Sequence, residues 1–360
     1  MTIQMTQGDL LRQDDVDAIV NTVNCVGVMG KGIALQFKHK FPDNFKSYQA
    51  ACKAGKVRIG HMFVHDNGAV ARPHYVINFP TKDHWRGNSR IEFIRSGLVD
   101  LVAQIERLNI RSIAVPPLGC GNGGLDWADV RPLIEQALAA IPNLEVRLFE
   151  PGAAPVALEM EVRTVRPKMT PGRAAILKVL DTYKQLDYGL SKIEVQKLAY
   201  FLQQAGEDLG LAFKKFTYGP YSDQLRHALN SMEGHYVRGV GDGNVESSIE
   251  PMPDALLQAE AFIAEQGNES LQLHVDRVAE LIEGYQSPYG MELLATVHWV
   301  ATTDEDVMSA DDAVAKVHAW SERKQKLMQP AHIRAAWHQL QSTGWLVAAV
   351  SRSEAVMHGH

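Results

Sequence analysis

Hydrophobic residues in the first half of the chain follow two patterns that alternate along the sequence. Short apolar runs, as in Val16–Val20, predict buried strands, and apolar residues at helical spacing in Ile91–Leu108 predict a helix. The predicted strands are Thr2–Gln7, Val16–Asn21, Met62–His65, Tyr75–Phe79, Ser112–Val115 and Glu145–Phe149, and the predicted helices are Ile33–Lys40, Asn44–Ala54, Ile91–Leu108 and Trp127–Ala140. A turn at Asp66-Asn67-Gly68 pairs two of the strands. The pattern predicts an α/β fold, a three-layer α/β/α sandwich with a mixed sheet.

The second half of the chain has mainly helical patterns. Its predicted helices are Ala174–Tyr183, Lys192–Gly206, Asp254–Glu265, Leu271–Ile282, Tyr289–Thr302, Ala310–Arg323 and Pro330–Leu340, with a closing strand at Trp345–Val350. Prolines and glycines between the two patterns indicate a linker. We therefore expect one domain over 1–155, a linker over 156–172 and a mainly helical domain over 173–360.

Composition and charge narrow the class of protein. The 360 residues are 46% hydrophobic and 22% charged, with a net charge of −6, as in ordinary globular proteins. No apolar run approaches the roughly 20 residues that cross a bilayer, and the first residues lack the features of a secretion signal. Three widely spaced cysteines favour free thiols over a disulfide framework or zinc site. We expect a cytoplasmic protein without a membrane partner, metal or cofactor.

The most informative stretch joins a predicted strand to a helix. Asn21-Thr-Val-Asn24 ends the strand, and Gly30-Lys-Gly-Ile-Ala34 opens the helix. Glycines let backbone N–H groups approach an anion closely, and a helix N-terminus adds its dipole. This pattern predicts a cradle for a diphosphate, although a plain strand–turn–helix connection gives the same pattern.

A second glycine-rich loop also follows a predicted strand and precedes a helix. Its candidate ligand-binding residues are Pro117, Gly119, Cys120, Gly121, Asn122, Gly123 and Gly124. Since open α/β sheets bind ligands at the carboxyl ends of their strands, we expect the two loops to hold two phosphates and the sugar between them.

These motifs resemble a known family. Gly8-Asp9-Leu10, Val16-Asp-Ala-Ile-Val-Asn-Thr-Val-Asn24 and Pro116-Pro-Leu-Gly-Cys-Gly121 are similar to the signature of macrodomains, which bind ADP-ribose. The resemblance implies that Asp9, beside Leu10, accepts a hydrogen bond from the adenine amino group. It also implies that Asn21 and Asn24 lie at the distal ribose. The alternative role for Asp9 is that of a turn or cap residue.

The segment Phe79-Pro-Thr-Lys82 supplies the candidate catalytic group. It resembles the catalytic element of the macrodomain branch that contains terminal ADP-ribose glycohydrolases and the DarG antitoxins. Lys82 would attack C1 of the opened ribose or stabilise charge near the glycosidic bond, and a lowered pKa favours either role. The assisting aspartate of the terminal glycohydrolases aligns with Gly123, and Asp126 lies three residues on. The catalytic partner of Lys82 is therefore left open, with Asn21 and ligand groups as candidates.

An aromatic and basic cluster follows the lysine. His84, Trp85 and Arg86 are candidates for contacts with DNA, because single strands are commonly held by stacked bases and paired phosphates. The alternative is that Trp85 covers the core beneath its loop.

The second half resembles the C-terminal half of DarG antitoxins and the wider Panacea domain. The resemblance is carried by Glu194-Val-Gln-Lys-Leu-Ala-Tyr200 and Tyr218-Gly-Pro-Tyr221. It implies an antitoxin that removes ADP-ribose from bases of single-stranded DNA by N-glycosidic hydrolysis. It also implies binding and inhibition of a cognate DarT-like ADP-ribosyltransferase toxin through the second domain. The alternatives are an ADP-ribose reader, a protein ADP-ribosyl hydrolase and a pure interaction protein.

One long stretch of the second half is strongly acidic. Gly239–Ala315 contains 16 carboxylates and one basic residue, Arg277. Its candidate contacts are Asp242, Glu246, Glu250, Asp254, Glu260, Glu265, Glu269, Asp304, Glu305, Asp306, Asp311 and Asp312. An enzyme that modifies DNA needs a basic groove, so this surface is predicted to act as a DNA mimic. The alternative is an ordinary solvated surface.

Overall fold

The computed structural model describes residues 2–68, 70–152, 161–184, 190–240, 248–267 and 269–346. The described chain forms two compact units, which meet in sequence between Arg166 and Pro167. Of the predicted linker 156–172, residues 156–160 lie outside the described residues. Arg163 N–H donates to the His39 carbonyl at 2.8 Å, so the chain is still bound to the first unit at that point.

The first unit is built on a six-stranded sheet. Its strands are β1 (Thr2–Thr6), β2 (Ala18–Asn24), β3 (Phe63–Asp66), β4 (Tyr75–Lys82), β5 (Ser112–Val115) and β6 (Glu145–Phe149), in the order β1-β6-β5-β2-β4-β3. All neighbours are parallel except the antiparallel pair β3 and β4. The predicted mixed sheet is therefore confirmed, with the first strand at an edge.

Helices cover both faces of this sheet. They are α1 (Gly32–Lys40), α2 (Pro42–Lys53), α3 (Ile91–Arg107) and α4 (Trp127–Ala139), with a single 3-10 turn at Leu10–Arg12. One buried cluster joins the sheet to α3 and α4 through residues such as Phe79 and Leu101, and another joins it to α1 through Phe37. The three predicted layers are confirmed.

Three local predictions in the first unit were inaccurate. Strand β2 continues to Asn24 and β4 continues to Lys82, because backbone pairing extends through polar residues that the apolar pattern does not count. The connection between β3 and β4 spans residues 67–74 and not a three-residue turn. Its antiparallel pairing nevertheless follows the prediction.

The second unit is mainly helical, as predicted. Its helices are α5 (Pro171–Lys184), α6 (Lys192–Ala205), α7 (Asp223–Met232), α8 (Pro253–Gln266), α9 (Glu269–Ile282), α10 (Pro288–Thr303), α11 (Ala310–His318), α12 (Glu322–Leu327) and α13 (Pro330–Ser342). Two small antiparallel pairs accompany them: β7 (Lys214–Phe216) with β8 (Gly219–Tyr221), and β9 (Val237–Arg238) with β10 (Glu250–Pro251).

The second unit departs from the apolar pattern in three places. The predicted helix Ala310–Arg323 is two helices, because Ser321 caps a new helix by accepting from Lys324 N–H. Helix α7 and the short strand pairs are not predicted, since strands of two or three residues leave no periodic signal. The predicted strand Trp345–Val350 lies mostly outside the described residues, and Trp345 and Leu346 are not in a strand.

No helix in the described ranges is long and apolar enough to span a membrane.

Candidate functional site

The candidate site lies at the carboxyl ends of the three central strands. Because β5, β2 and β4 are parallel neighbours, the segments that follow them emerge at one edge of the sheet. We call residues Cys25–Lys31 the first loop and residues Pro116–Asp126 the second loop. A Cβ placed on Gly32 would lie 3.0 Å from Asn122 Nδ2, and Lys82 Nζ donates a hydrogen bond to the Asn122 carbonyl. The structure thus brings together both loops and the candidate lysine.

The first loop ends in a set of unused hydrogen-bond donors. In the part of the chain that the structure describes, the N–H groups of Gly30, Lys31, Gly32, Ile33 and Ala34 donate to no backbone or side-chain acceptor. Lys31 occupies the N-cap position of α1 without a capping side chain. Free N–H groups and the positive end of a helix dipole favour an anion here. The arrangement suits a phosphate group, as the sequence predicts.

Asn24 holds the first loop in shape. Its Oδ1 accepts from the N–H groups of Val26 and Val28, at 3.0 and 3.3 Å, and its Nδ2 donates to the Val28 carbonyl at 2.6 Å. Tyr48 Oη donates to the Asn24 backbone carbonyl at 2.5 Å. The Asn24 side chain is thus engaged within its own loop, and a contact with a ribose stays a prediction.

Asn21 belongs to a buried group of three amides. Its Nδ2 donates to Asn78 Oδ1 at 3.0 Å, and Asn78 Nδ2 donates to Asn44 Oδ1 at 2.7 Å and to the Phe63 carbonyl at 3.1 Å. All three side chains are fully buried. A backbone carbonyl only accepts, so the Phe63 contact fixes the orientation of Asn78 and, through it, that of Asn21.

This orientation leaves one hydrogen-bond acceptor without a donor. Asn21 Oδ1 is buried and has no partner within the described residues. Met29 Sδ lies 3.9 Å from Asn21 Nδ2, so the first loop packs against this amide. Burying an unpaired acceptor costs about 1–3 kcal/mol. A ribose contact of Asn21 stays a prediction, and it requires the first loop to move aside.

The second loop combines structural and open glycines. A side chain at Gly123 would collide with the Gly119 carbonyl and the Ser89 hydroxyl, and Gly119 has a φ of +74°. By contrast, a Cβ at Gly121 would meet nothing within 4 Å. Pro117 carbonyl accepts from Cys120 N–H at 3.2 Å, and Gly121 carbonyl accepts from Gly124 N–H at 3.0 Å. Burial raises the pKa of the Cys120 thiol to about 11, with Asp126 adding to the effect, which favours the protonated thiol at neutral pH.

Lys82 ends β4 between the two loops and is half-buried. Burial lowers the pKa of its ammonium group, which is the direction that a nucleophilic amine requires. The pairing of β2 with β4 shifts between Val23 and Asn24, so that Asn24 pairs with Lys82 and not with Thr81. The lysine therefore faces the site from the strand next to the first loop.

Two aspartates have structural roles. Asp9 Oδ1 accepts from Leu11 N–H at 2.8 Å and caps the 3-10 turn, whose Leu10 is buried. The other carboxylate oxygen, Oδ2, lies 3.8 Å from Arg12 Nε, and a contact of Asp9 with adenine stays a prediction. Asp126 caps α4 by accepting from Ala128 N–H at 2.9 Å, so it is committed to the helix and is a poor substitute for the missing aspartate of the second loop.

The segment after Lys82 carries an exposed aromatic side chain. Trp85 is 47% exposed, its ring stacks on His84 with centroids 5.4 Å apart, and the Arg86 guanidinium lies 4.6 Å from its centroid. An exposure of this size does not support the alternative that Trp85 covers the core. The DNA contacts of His84, Trp85 and Arg86 stay predictions.

Several residues of this site were missed by the sequence analysis. Asn44 and Asn78 complete the amide group, Tyr48 holds the first loop, and Ser89 N–H donates to the Gly123 carbonyl at 3.0 Å. Asn78 directly precedes the segment Phe79-Pro-Thr-Lys82, and this position could have identified it as a site residue. Asn44 lies on α2 and carries no signal, because a polar residue near a helix start is ordinary.

The motif residues of the second unit bind one another. Gln196 exchanges hydrogen bonds with the backbone of Ser222, at 2.9 and 3.0 Å, and buried Lys197 Nζ donates to the Pro220 carbonyl at 2.7 Å. Nearby, buried Lys324 Nζ donates to Glu292 Oε1 at 2.7 Å, and Arg323 bonds both oxygens of Glu292. The first set of bonds holds β8 and the start of α7 against α6, and the second set ties α12 to α10.

The acidic stretch is less free than its sequence suggests. Glu260 pairs with Lys178 at 3.3 Å, Asp304 with Lys316 at 2.6 Å, and Asp311 with Arg334 at 2.8 Å. All three of these cations lie outside the stretch. Asp312 caps α11, while Asp242 and Glu246, as well as the Glu269 side chain, lie outside what the structure describes. Glu305 and Asp306 remain exposed.

No group of three or more His, Cys, Asp or Glu residues in the described ranges could hold a metal ion.

Comparison with known proteins places these features in a family. The Macro domain model matches residues 20–134. A DNA ADP-ribosyl glycohydrolase of Thermus aquaticus is 45% identical over 346 residues, 96% of this chain and 94% of that protein. A DNA ADP-ribosyl transferase–glycohydrolase fusion protein of Thermosipho africanus is 33% identical over 169 residues, 41% of this chain and 43% of that protein.

Among solved structures, the macrodomain of Mycobacterium tuberculosis DarG is 54% identical and covers 42% of this chain and 99% of that chain, with a TM-score of 0.41. The near full-length identity to the Thermus protein is decisive. The chain belongs to the family of DNA ADP-ribosyl glycohydrolases, the DarG family, and its first half is a macrodomain.

Proposed function

We propose that this chain removes ADP-ribose from bases of single-stranded DNA by hydrolysing the N-glycosidic bond. The proposal rests on the set of unused N–H groups from Gly30 to Ala34 and on Lys82 next to them. Burial lowers the pKa of this lysine. The names of the curated relatives support the same reaction. The unused donors suit the diphosphate, and Lys82 provides the reacting group beside it.

In the proposed reaction the second glycine loop faces the diphosphate from the other side. Gly121, Asn122 and Gly124 are exposed and Gly119 and Gly123 are buried, so the exposed backbone is available to a ligand. The N–H groups of the two loops would surround the diphosphate, as backbone donors do in other anion sites. Asp9 would accept from the adenine amino group, and Asn21 and Asn24 would lie near the distal ribose.

Lys82 acts as the nucleophile in this proposal. Its neutral amine adds to C1 of the distal ribose, the C1–N bond to the base breaks, and the base nitrogen leaves with a proton. The bond from C1 to the ring oxygen then breaks to give an imine, with the amine proton passing to that oxygen. Water adds to C1, and cleavage of the C1–N bond to Lys82 restores both the amine and free ADP-ribose. The contact between Lys82 Nζ and the Asn122 carbonyl places the amine against the second loop. Lys82 alone supplies the side-chain chemistry, since Gly123 replaces the aspartate expected there and Asp126 is a helix cap.

The test is release of free ADP-ribose from an ADP-ribosylated single-stranded oligonucleotide, measured by chromatography. An ADP-ribosylated glutamate peptide serves as the parallel substrate. Release from the oligonucleotide alone supports the proposal. Release from the peptide alone favours a protein ADP-ribosyl hydrolase, and tight binding of ADP-ribose without release from either substrate favours a reader.

We further propose that the second unit binds and inhibits a cognate DarT-like ADP-ribosyltransferase toxin in the cytoplasm. The Thermosipho relative joins transferase and glycohydrolase in one polypeptide, which supports a functional link between the two activities. Exposed carboxylates such as Glu305 and Asp306 would occupy the basic DNA groove of the toxin. The experiment is inhibition of the toxin by the full-length Lys82→Ala variant. A toxin that stays fully active beside this variant would disprove the second role.

A further inference from the structure

A groove beside the candidate lysine has no role in the function proposed so far. It begins at the residue after Lys82 and has a volume of about 750 Å³. Its lining residues are Ile59, Asp83, His84, Gly87, Asn88, Arg90 and Phe93. Sites for small organic ligands in proteins typically measure about 300–1,000 Å³. The groove is therefore large enough for one nucleotide.

The wall of the groove is attached to both phosphate-facing loops. Cys25 N–H, in the first loop, donates to the Asp83 carbonyl at 3.1 Å. At the other end of the wall, Ser89 N–H donates to the Gly123 carbonyl of the second loop at 3.0 Å. Between them, Gly87 N–H donates to the His84 carbonyl at 2.9 Å and closes a turn. The groove is thus part of the same backbone framework as the site around Lys82.

The lining offers the chemistry that a base requires. Ile59 and Phe93 supply apolar surface, and Asn88 and Asp83 supply an amide and a carboxylate for hydrogen bonds with a base edge. The Arg90 guanidinium lies 5.5 Å from the centroid of the Phe93 ring. Single strands are held by this combination of stacking surface and cations in many proteins.

The charge around the groove suits a phosphate backbone. The segment from residue 82 to residue 95 contains four basic residues and two acidic ones. The basic residues are Lys82, Arg86, Arg90 and Arg95, and the acidic ones are Asp83 and Glu92. Arg58 adds a further exposed cation next to Ile59. The whole chain is negative by contrast. A local positive charge in an acidic protein favours an anionic ligand.

We propose that this groove binds the base of the nucleotide next to the modified one in the DNA strand. The inference rests on the proposed function, because the modified nucleotide is taken to lie at Lys82. The strand would leave the Lys82 site past Asp83, place its neighbouring base between Ile59 and Phe93, and set its phosphates against Arg86 and Arg90. The groove would then make the enzyme prefer strands to isolated nucleosides.

The first experiment removes the neighbouring base from the substrate. ADP-ribosylated oligonucleotides with an abasic site at one of the two adjacent positions are compared with the intact oligonucleotide. We expect kcat/KM to fall about tenfold for one of the two positions and to change little for a position four nucleotides away. Equal rates with all abasic substrates would overturn the proposal.

The second experiment fills the groove. Gly87 lies in its lining, has no left-handed backbone conformation, and its Cβ would meet only the His84 carbonyl, at 3.4 Å. We expect Gly87→Leu to lower kcat/KM on the oligonucleotide about tenfold and to leave hydrolysis of an isolated ADP-ribosylated nucleoside unchanged. The control is Gly152→Leu, whose Cβ would lie 3.9 Å from the Glu150 carbonyl and which should change neither rate.

Two outcomes separate the groove from the proposed reaction. Equal losses on both substrates in Gly87→Leu would mean that the change disturbs Lys82, and the groove proposal would be wrong. If the wild type hydrolyses neither substrate, the proposed reaction fails. Binding of an unmodified single-stranded oligonucleotide, measured by fluorescence anisotropy, still decides the groove. Weaker binding by Gly87→Leu than by Gly152→Leu supports it, and equal binding rejects it.

Discussion

The two units of this protein use their conspicuous polar residues in opposite ways. In the first unit, five consecutive N–H groups from Gly30 to Ala34 have no acceptor in the described structure. In the second unit, the motif residues Gln196 and Lys197 are buried and bonded to the backbone of Ser222 and Pro220. Unused donors indicate a place for a ligand, whereas internal bonds indicate a framework. Two motifs of equal prominence in sequence can thus serve binding in one case and architecture in the other.

The variant with the largest expected effect tests the first unit, at its candidate reactive lysine. Lys82→Ala should lower the rate of ADP-ribose release by about 10³-fold or more, because the variant lacks the amine. Affinity for ADP-ribose should stay within about tenfold, or 1.4 kcal/mol, by calorimetry. Lys46→Ala, at an exposed lysine on α2, is the control. Unchanged turnover in Lys82→Ala would remove the lysine from the mechanism.

A second variant tests the internal bonds of the second unit, at the buried carboxylate of Glu292. Glu292→Gln removes the charge that balances Lys324 and Arg323, both bonded to Glu292. Breaking a buried ion pair from one side costs about 3–5 kcal/mol. Urea unfolding followed by tryptophan fluorescence measures this loss, since four of the six tryptophans belong to the second unit.

The matched control for that variant is Glu305→Gln at an exposed position, which should change stability little. ADP-ribose affinity should be the same in both variants. A loss of affinity in Glu292→Gln alone would break the comparison, because the framework residue would then act on the ligand site.

Stability of the second unit should also depend on pH through a buried histidine. Burial lowers the pKa of His298 to about 4, and Arg277 adds to the effect. The unfolded chain binds a proton near its ordinary pKa of about 6.5, so stability is greatest above that pH and falls as the pH drops to about 4. The full loss is about 3 kcal/mol. Urea unfolding at several pH values should show a smaller slope in His298→Gln, and an unchanged slope would refute this assignment.

Variants at two glycines separate an effect on ligand affinity from an effect on the stability of the fold. A Cβ at Gly121 enters open space, whereas Gly32 has a φ of +56° and faces Asn122. Gly121→Glu should therefore fold normally and lose about 100-fold in ADP-ribose affinity, through overlap with and repulsion of the diphosphate. Gly32→Glu should lose affinity and stability together. Calorimetry and thermal unfolding of the two variants give both readouts, and undiminished binding in Gly121→Glu would mean that the diphosphate lies elsewhere.

The smallest expected effect concerns the acidic surface of the second unit. If exposed carboxylates steer a basic toxin, its association rate should fall several-fold between low and physiological salt, where screening acts over about 8–10 Å. Glu305→Lys should slow association further, measured by stopped flow. A rate independent of salt, or simultaneous binding of toxin to this protein and to single-stranded DNA, would exclude DNA mimicry.

Much of the first unit could be predicted from the sequence because its signals are local. Apolar strands, amphipathic helices and two glycine-rich loops led to the layers, the mixed sheet and the edge where the loops meet. The amide group of Asn21, Asn44 and Asn78 could not be predicted, since its members are far apart in sequence and meet only through the fold. The break at Ser321 was missed because Ala310–Arg323 keeps helical spacing across a cap. The pairing of acidic residues with Lys178 and Arg334 likewise needs the tertiary structure.

The chain of amides behind Asn21 limits how this site can be transferred between proteins. Asn78 bonds both Asn21 and Asn44, and it is itself oriented by the backbone carbonyl of Phe63 on β3. A designer who grafts only the two glycine loops onto another macrodomain would leave Asn44 on α2 and the edge strand behind. Asn21 could then turn over and present its NH₂ group where the oxygen now lies. The smallest part of the structure that can be grafted with this site is therefore the two loops together with α2, β3 and β4.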